Sequence, residues 1–211
     1  MPLRKKLLTN CRLYLILDRA VQDYPALFET AAKAISAGVD IIQLRDKSGS
    51  ASEILEFSKC ILKLTREKIP YIINDRVDLA MITKASGVHL GQDDIPCKEA
   101  RRIMGARAMI GTSCQTFEQA QKAEEDGADY IGFGSVFKTL TKPQREAMNL
   151  DFLKKVVNEM TIPVFAIGGI TLEKFSVLKA LGVHRVAVCR AVLEAEDIKK
   201  TIRSFRKQLV V

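Results

Sequence analysis

At 211 residues, the chain is 47% apolar and 27% charged, which is the composition of an ordinary globular protein with a substantial core. No apolar run is long enough to cross a bilayer, and no apolar signal core with a small-residue cleavage site follows the basic N-terminus. These features argue against the membrane and secreted classes. They predict a cytoplasmic protein without a membrane partner.

The net charge of +8 fits either a nucleic-acid surface or a site for anionic small molecules. Lysines and arginines cluster near both termini, and such runs are usually solvated faces. Phe205 is the one aromatic residue interleaved with them, so specific nucleic-acid binding by base stacking is not expected. The five cysteines are scattered without a Cys-x-x-Cys pair, which favours reduced thiols that pack as small apolar groups.

Short apolar stretches alternate with helical patterns along the chain. The predicted strands cover residues 12–18, 40–45, 71–74, 87–91, 109–113, 130–133, 163–169 and 185–190. The predicted helices lie within residues 25–37, 50–69, 75–83, 96–104, 116–126, 149–160, 171–181 and 197–209. This alternation, without a linker, indicates one domain built around a parallel sheet.

Local signals mark the ends of several helices. Ser50 with Glu53, and Thr116 with Gln119, match the capping box, in which each side chain accepts from the other residue's backbone N–H. A weak internal repeat, Gly-apolar-Asp or Gly-apolar-His, is expected to stop a helix and lead into a strand. It occurs at Gly38, Gly87, Gly127 and Gly182.

The pattern predicts an α/β fold over residues 1–211: a single-domain (β/α)8 TIM barrel with parallel strands, in which residues 1–11 form an N-terminal extension or a short helix. Continuous apolar strands need cover on both faces, which the outer helices of a barrel provide. An open doubly wound sheet is the alternative, and the lack of Gly-x-Gly-x-x-Gly after the first strand weakens it. In a barrel, the strand C-termini share one rim that carries the active site.

Polar side chains cluster where the predicted strands end, and we expect them at that rim. They are Asp18, Gln43, Arg45, Lys47, Asn74, Asp75, Gln92, Asp93, Asp94, Ser113, Gln115, Thr139, Thr141, Lys142, Gly168, Gly169 and Arg190. Three of them are cations suited to a pyrophosphate, namely Arg45, Lys47 and Lys142. Asp75 and Asp94 are hard oxygen ligands that suit Mg²⁺.

A second anion site is predicted on another part of the rim. Residues 130–142 run from an apolar strand into a loop of hydroxyls and lysines, which suits phosphate oxygens. Gly168 and Gly169 precede a helix led by Thr171, where bare backbone N–H groups favour an anion. Two anion sites, one of them with a metal, predict two phosphorylated substrates.

Simpler interpretations stand beside these. Asp75 can be a helix-start carboxylate paired with Arg76, and Asp94 can belong to a solvated turn. His89 and His184 are interpreted as structural, because neither falls at the predicted rim. The rim then has no evident base, which fits a reaction driven by departure of a metal-bound pyrophosphate better than one driven by proton abstraction.

Six motifs together resemble the thiamine phosphate synthase family. They are Gln-Leu-Arg-Asp-Lys at 43–47, Asn-Asp-Arg at 74–76, Gly-Val-His-Leu-Gly-Gln-Asp-Asp at 87–94, Gly-Thr-Ser at 111–113, Gly-Ser-Val-Phe-Lys-Thr-Leu-Thr-Lys at 134–142 and Ala-Ile-Gly-Gly-Ile at 166–170. The resemblance covers nearly the whole chain. It implies a transferase of alkyl or aryl groups other than methyl. Such an enzyme joins 4-amino-2-methyl-5-hydroxymethylpyrimidine diphosphate to 4-methyl-5-(2-phosphoethyl)thiazole and releases pyrophosphate.

The same resemblance implies roles for particular residues. The pyrimidine diphosphate would be bound by Gln43, Arg45, Lys47, Asn74, Ser113 and Lys142. The catalytic residues would be Ser113, Lys142 and Arg45, and Mg²⁺ would be the cofactor of Asp75 and Asp94. The thiazole phosphate would be bound by Thr139, Thr141, Gly168, Gly169 and, at the end of strand eight, Cys189 and Arg190.

Some positions depart from the family pattern. Arg190 replaces a usual Ser, Leu140 a common Pro, and Met148–Asn149 an apolar–Gly pair. We expect Arg190 to tighten binding of the thiazole phosphate. Two alternatives stay open: a thiazole tautomerase of the same fold, disfavoured because that family's His appears here as Gln115, and a non-catalytic phosphate- or nucleic-acid-binding protein. A homo-oligomer is also left open.

Overall fold

The first strand, β1 (Leu13–Asp18), is buried along its whole length. Successive side chains of a strand point to opposite faces. Leu13 and Leu15 therefore pack in the apolar layer between the sheet and the helices, whereas Tyr14 and Ile16 pack in an inner cluster. A strand buried on both faces belongs to a sheet that is covered on both sides.

The computed structural model describes residues 8–66, 68–141 and 146–209. After β1 come β2 (Ile41–Arg45), β3 (Tyr71–Asn74), β4 (Gly87–Leu90), β5 (Met109–Cys114), β6 (Tyr130–Phe133), β7 (Val164–Ile167) and β8 (Val186–Val188). Each strand pairs in parallel with the next, and β8 pairs with β1, so the sheet closes into an eight-stranded barrel. The predicted (β/α)8 barrel is confirmed, and the open doubly wound sheet is wrong.

Helices follow the strands around the outside. They are α1 (Tyr24–Ala37), α2 (Ala51–Thr65), α3 (Val77–Thr83), α4 (Cys97–Met104), α5 (Phe117–Glu125), α6 (Leu150–Glu159), α7 (Leu172–Ala180), α8 (Arg190–Leu193) and α9 (Ile198–Leu209). The short helix α8 was not predicted. Residues 8–10 are also helical, within the expected N-terminal extension. Across the described ranges, no helix is both long enough and apolar enough to cross a membrane.

The two predicted capping boxes have different outcomes. At α2, the Glu53 backbone N–H donates to Ser50 Oγ (3.3 Å), and the Ser50 N–H donates to Glu53 Oε2 (2.9 Å), which completes the box. At α5, Thr116 Oγ1 accepts from the Gln119 N–H (3.2 Å). The Gln119 side chain instead accepts from the N–H of Gln115 (2.8 Å), so only half of that box forms.

The prediction that Gly87 stops a helix is wrong. Helix α3 ends at Thr83, and its C-cap Lys84 adopts a left-handed conformation with φ of 59°. Gly87 is instead the first residue of β4, where a Cβ atom would lie 1.8 Å from the Met109 carbonyl oxygen. Glycine is thus needed there for the close approach of β5. Gly38 and Gly182 do have the left-handed backbone expected of helix stops, with φ of 100° and 82°.

All five cysteines are free thiols. Cys11, Cys97 and Cys114 are buried, as expected for cysteines that pack as small apolar groups, and Cys189 is partly buried. Cys60 is exposed on α2, so the packing prediction is wrong for that residue.

Candidate active site

A cavity of about 250 Å³ lies among residues that follow the C-terminal ends of the strands. Its lining contains most of the predicted substrate-binding residues: Gln43, Arg45, Asn74, Ser113, Thr139, Thr141, Gly168, Gly169, Cys189 and Arg190. These residues come from different strands and loops, and they meet because parallel strands all end at one rim. Lys142, predicted to be catalytic and to bind substrate, lies outside the described residues.

Arg45 is held in place by Asp18, its partner in the register of β1 and β2. Its Nη1 donates to Asp18 Oδ2 at 2.8 Å, and the two side chains are 17% and 2% exposed. Asp18 also accepts from the backbone N–H of Ala20 (3.1 Å). A guanidinium fixed by a buried carboxylate keeps its remaining donors in a defined direction, which suits a phosphate in the cavity.

A cluster of charges lies beside the cavity rather than in its described lining. The Lys47 ammonium forms an ion pair with Asp75, and Arg76 pairs with Asp78, so the suggested Asp75–Arg76 pair is wrong. Burial and the neighbouring Asp94 carboxylate raise the pKa of Asp75. The backbone of Asp75 is left-handed, with φ of 61°.

The loop that carries Asp94 folds back on itself. Asp94 Oδ2 accepts from the Gly91 backbone N–H at 2.6 Å, whereas the neighbouring Asp93 is exposed. Two adjacent carboxylates suit a divalent cation, because its charge relieves the repulsion that raises the Asp75 pKa. Within the described residues, no group of three or more His, Cys, Asp or Glu side chains could hold a metal, so phosphate oxygens and water would have to complete the coordination.

The second predicted anion site is built from two loops in contact. The backbone N–H of Val136 donates to Ile167 O (2.8 Å), and that of Phe137 donates to Gly168 O (3.0 Å). Gly168 and Gly169 are left-handed, with φ of 103° and 61°. A Cβ on Gly169 would lie 2.4 Å from the Lys138 carbonyl oxygen. Both glycines therefore serve close packing between the loops, and the same packing leaves their backbone beside the cavity.

Helix α7 begins next to this glycine pair. Its N-cap Thr171 accepts from the Lys174 N–H (3.4 Å), and both residues line the cavity. The Lys174 ammonium lies 5.1 Å from the centre of the Phe137 ring, so a cation–π contact holds it over the β6 loop. Lys174 was not predicted as a site residue, because a lysine in the first turn of a helix has no distinguishing sequence signal.

The prediction that Arg190 lies at the end of strand eight is wrong. β8 ends at Val188, and Arg190 is the first residue of α8. Its guanidinium forms an ion pair with Glu194, while its buried Nε has no hydrogen-bond partner in the described part of the chain. The adjacent Cys189 has its thiol pKa raised to about 12, chiefly by burial, so it stays protonated at neutral pH.

The sequence interpretation of His89 is that it is structural and lies away from the site. The predicted location is wrong. Its imidazole lines the cavity, and Nε2 lies 3.0 Å from Ser113 Oγ. His89 points into the barrel from β4, below the rim, which sequence position alone did not indicate. Gln115, by contrast, is exposed and not part of the described cavity lining.

Comparisons with known proteins agree on one family. Residues 13–192 match the family described as thiamine monophosphate synthase. A thiamine-phosphate synthase of Clostridium tetani is 40% identical over 90% of this chain and 92% of its own length. One of Fusobacterium nucleatum is 36% identical over 95% of this chain and 98% of its own length.

One solved structure agrees with this family, and a more distant one shows only the fold. A thiamine phosphate pyrophosphorylase from Pyrococcus furiosus superposes with a TM-score of 0.86 at 36% identity, covering 98% of this chain and 97% of its own. A 3-hexulose-6-phosphate synthase superposes with a TM-score of 0.69 at 16% identity, covering 94% of this chain and 100% of its own. The second likeness shows the shared barrel alone.

Proposed function

We propose the reaction of this chain from the premise that it belongs to the thiamine monophosphate synthase family. It is an enzyme of the thiamine-phosphate synthase type, a transferase of thiamine biosynthesis. The reaction we propose joins 4-amino-2-methyl-5-hydroxymethylpyrimidine diphosphate to 4-methyl-5-(2-phosphoethyl)thiazole. Its products are thiamine phosphate and pyrophosphate.

One observation carries the proposal: the groups suited to phosphate lie on two sides of one cavity. Arg45 comes from β2, whereas Thr139 and Thr141 follow β6, and these two strands lie opposite each other in the closed order. Gly168 and Gly169 follow β7, which lies opposite β3. Two phosphorylated substrates can therefore bind on opposite sides of one cavity, so that their reacting ends meet between the two phosphate sites.

On the first side, Gln43, Arg45, Asn74 and Ser113 would bind the pyrimidine diphosphate, together with Lys47. Lys142, which lies outside the described residues, is still proposed to bind it as well. Arg45 would offer its donors to the diphosphate from the direction that Asp18 fixes. Lys47 now neutralises Asp75, and in the complex it would contact diphosphate oxygens as a mobile point charge.

Asp75 and Asp94 would hold Mg²⁺, and their donor set fits it. When bound, Mg²⁺ supplies positive charge to the diphosphate oxygens and so stabilises the leaving group. Asp75 remains close enough to Lys47 for that ammonium to share the diphosphate. The residues on this side thus collect positive charge where negative charge develops as the bond breaks.

On the second side, Thr139, Thr141 and the glycine pair would bind the thiazole phosphate. Lys174, fixed over the Phe137 ring, would add a cation, and Arg190 would add another near the same end of the cavity. These contacts suit a phosphate monoester because they combine hydroxyl, backbone and cationic donors.

The proposed chemistry needs no base. The bond between the pyrimidine methylene carbon and the diphosphate oxygen breaks, and its electron pair leaves with pyrophosphate. The thiazole ring nitrogen then uses its lone pair to form the new C–N bond. That nitrogen carries no proton, so none has to be removed. The protein's task is to orient both rings and to stabilise the leaving charge.

The test is a pyrophosphate-release assay with purified protein and Mg²⁺. Release that requires both substrates, with thiamine phosphate as the organic product, is the expected result. Arg45→Ala should abolish most of it, while Arg102→Ala, at a side chain 80% exposed on α4, should leave it unchanged.

Two other outcomes would contradict the proposal. Isomerisation of the thiazole phosphate without the diphosphate would indicate a tautomerase. No turnover, together with steeply salt-dependent nucleic-acid binding, would indicate a binding protein. A cytoplasmic location and a homo-oligomer remain predictions.

A further inference from the structure

Five side chains form a continuous hydrogen-bonded chain across the barrel interior. Gln43 Nε2 donates to Tyr14 OH at 2.7 Å, and Tyr14 OH lies 2.9 Å from Tyr130 OH. Tyr130 OH lies 3.2 Å from His89 Nδ1, and His89 Nε2 lies 3.0 Å from Ser113 Oγ. The two ends, Gln43 and Ser113, line the cavity on the proposed diphosphate side.

The middle of this hydrogen-bonded chain is almost fully buried. Tyr14 and Tyr130 are 2% and 0% exposed, and His89 is 6% exposed. Burial raises the pKa of both tyrosines, so they stay protonated. Each phenol therefore has one proton to donate, and a proton left without an acceptor in this interior would destabilise the fold.

Neighbouring residues hold the rings in place. A Cβ on Gly111 would lie 2.1 Å from Tyr130 Cζ, and one on Gly132 would lie 3.3 Å from His89 Cε1, so glycine leaves the space that these rings occupy. Phe165 packs edge-on against Tyr14 and Tyr130, with centroids 5.4 and 5.7 Å away. The rings are thus fixed by shape, and only the direction of the protons remains to be set.

With Gln43 donating to Tyr14 through Nε2, counting donors selects one direction. If Tyr14 donates to Tyr130, Tyr130 donates to His89 Nδ1 and His89 Nε2–H donates to Ser113, every one of these protons has an acceptor, and the Ser113 hydroxyl proton is left for a ligand. In the reverse direction, Tyr14 accepts from both Gln43 and Tyr130. Its own proton then has no acceptor among the contacts of the described residues.

We propose that Tyr14, Tyr130 and His89 are positioning residues that fix the hydrogen-bonding roles of Gln43 and Ser113. His89 is the neutral Nε2–H tautomer. Ser113 accepts from it and keeps its own proton for the substrate, while Gln43 turns its amide nitrogen to Tyr14 and keeps its carbonyl oxygen as an acceptor. The proposed consequence for substrate binding rests on the proposed function. The direction in which the five side chains donate their protons does not depend on it.

An acceptor and a donor set in this way are complementary to an aminopyrimidine edge. The exocyclic amine of such a ring donates, and its adjacent ring nitrogen accepts. A ring with these roles reversed would leave buried groups unpaired, which discriminates strongly against it. The interior chain would therefore serve selection of the pyrimidine, and not only the stability of the barrel.

The direction is tested in the free protein by ¹⁵N NMR of the imidazoles, which requires no turnover. The chain has two histidines, so the His184→Asn variant isolates the His89 signals. We expect the Nε2–H tautomer. Tyr130→Phe should shift the Nδ1 resonance, whereas Tyr14→Phe should leave the tautomer unchanged. An Nδ1–H tautomer in the unmodified chain would overturn the proposed direction.

The consequence for binding is tested by a double-mutant cycle on the KM of the pyrimidine diphosphate. Tyr130→Phe should raise this KM about fivefold with kcat little changed, as expected for one weakened hydrogen bond. In a Ser113→Ala background, it should have no further effect. Effects that add in the two backgrounds would overturn the assignment of Tyr130 as a residue acting through Ser113.

Tyr71→Phe is the matched control. Tyr71 is 0% exposed, and its hydroxyl lies 2.9 Å from Ser58 Oγ, between α2 and the barrel. Tyr71→Phe should lower the melting temperature about as much as Tyr130→Phe does, without changing the KM for the pyrimidine diphosphate. Equal KM changes in the two variants would show that loss of any buried phenol is enough, and would overturn the proposal. If the pyrophosphate assay fails while the tautomer is Nε2–H, the proposed function fails and the direction of the chain stands.

Discussion

Arg190 and Glu194 form an ion pair across one turn of α8, at the edge of the cavity. The pair holds the guanidinium near the loops that carry Thr141 and the Gly168–Gly169 pair. It also leaves the buried Nε of Arg190 without a partner in the described structure. A buried donor without a partner is costly, and an incoming phosphate oxygen would satisfy it.

We therefore expect Arg190→Ser to raise the KM for the thiazole phosphate about tenfold, with little change for the diphosphate. Lys122→Ser is the control, because it removes another i,i+4 ion pair. Lys122 lies on α5 and pairs with Asp126, the C-cap of that helix. Steady-state kinetics with each substrate varied will show the effect. An unchanged KM would mean that Glu194 fully neutralises Arg190, and a lowered KM would mean that Arg190 obstructs the pocket.

Asp75→Ala and Asp94→Ala should each lower kcat by about 100-fold or more while the protein stays folded, because the leaving group loses charge stabilisation worth several kcal/mol. The control is Asp93→Ala, since Asp93 is exposed in the same turn. Turnover is measured at saturating diphosphate over a range of Mg²⁺ concentrations, with circular dichroism as the check on folding. Near-normal rates in both variants would remove these residues from the metal site.

Gly169→Ala should raise the KM for the thiazole phosphate by about tenfold or more, because the new Cβ would push against the Lys138 carbonyl, 2.4 Å away. Gly182→Ala is matched for backbone strain, since Gly182 is also left-handed and its Cβ would meet nothing within 4 Å. Both variants should lose about 1–3 kcal/mol of stability. If both shift the KM equally, strain alone explains the loss.

Asp18→Asn should raise the KM for the diphosphate, because the neutral amide no longer fixes the Arg45 guanidinium, and should cost about 2 kcal/mol of stability. Asp129→Asn is the matched control. Asp129 is 1% exposed and pairs with Arg101, 21% exposed, just before β6 at the opposite end of the barrel. Denaturant unfolding should give similar losses for the two variants, with the KM effect confined to Asp18→Asn.

Much of the fold could be predicted from the sequence because its signals are local. Apolar strands such as β1 are readable as runs, and the Ser50 capping box marks its helix within four residues. The boundaries of the elements could not all be predicted. The sequence pattern predicts that Arg190 ends a strand, but Arg190 begins α8. Nothing local distinguishes the two, because the apolar run continues through both elements.

Part of the candidate site could also be predicted from local signals. Residues at the last position of a strand, such as Arg45 and Asn74, are correctly predicted at the rim, since every parallel strand ends there. His89 was not, because it lies within β4 and reaches the cavity from below. Whether a strand residue faces the barrel interior near the rim depends on the stagger of neighbouring strands, which periodicity does not report.

The order of strands and helices, most of the helix caps and the charged motifs could be predicted from the sequence, because each depends on residues a few positions apart. The tertiary structure decided which groups meet. Only barrel closure brings Tyr14 to Tyr130 and joins Gln43 to Ser113, residues far apart in the chain. Contacts of that kind depend on strand register and on space left by glycines such as Gly111, and both are set by the closed sheet.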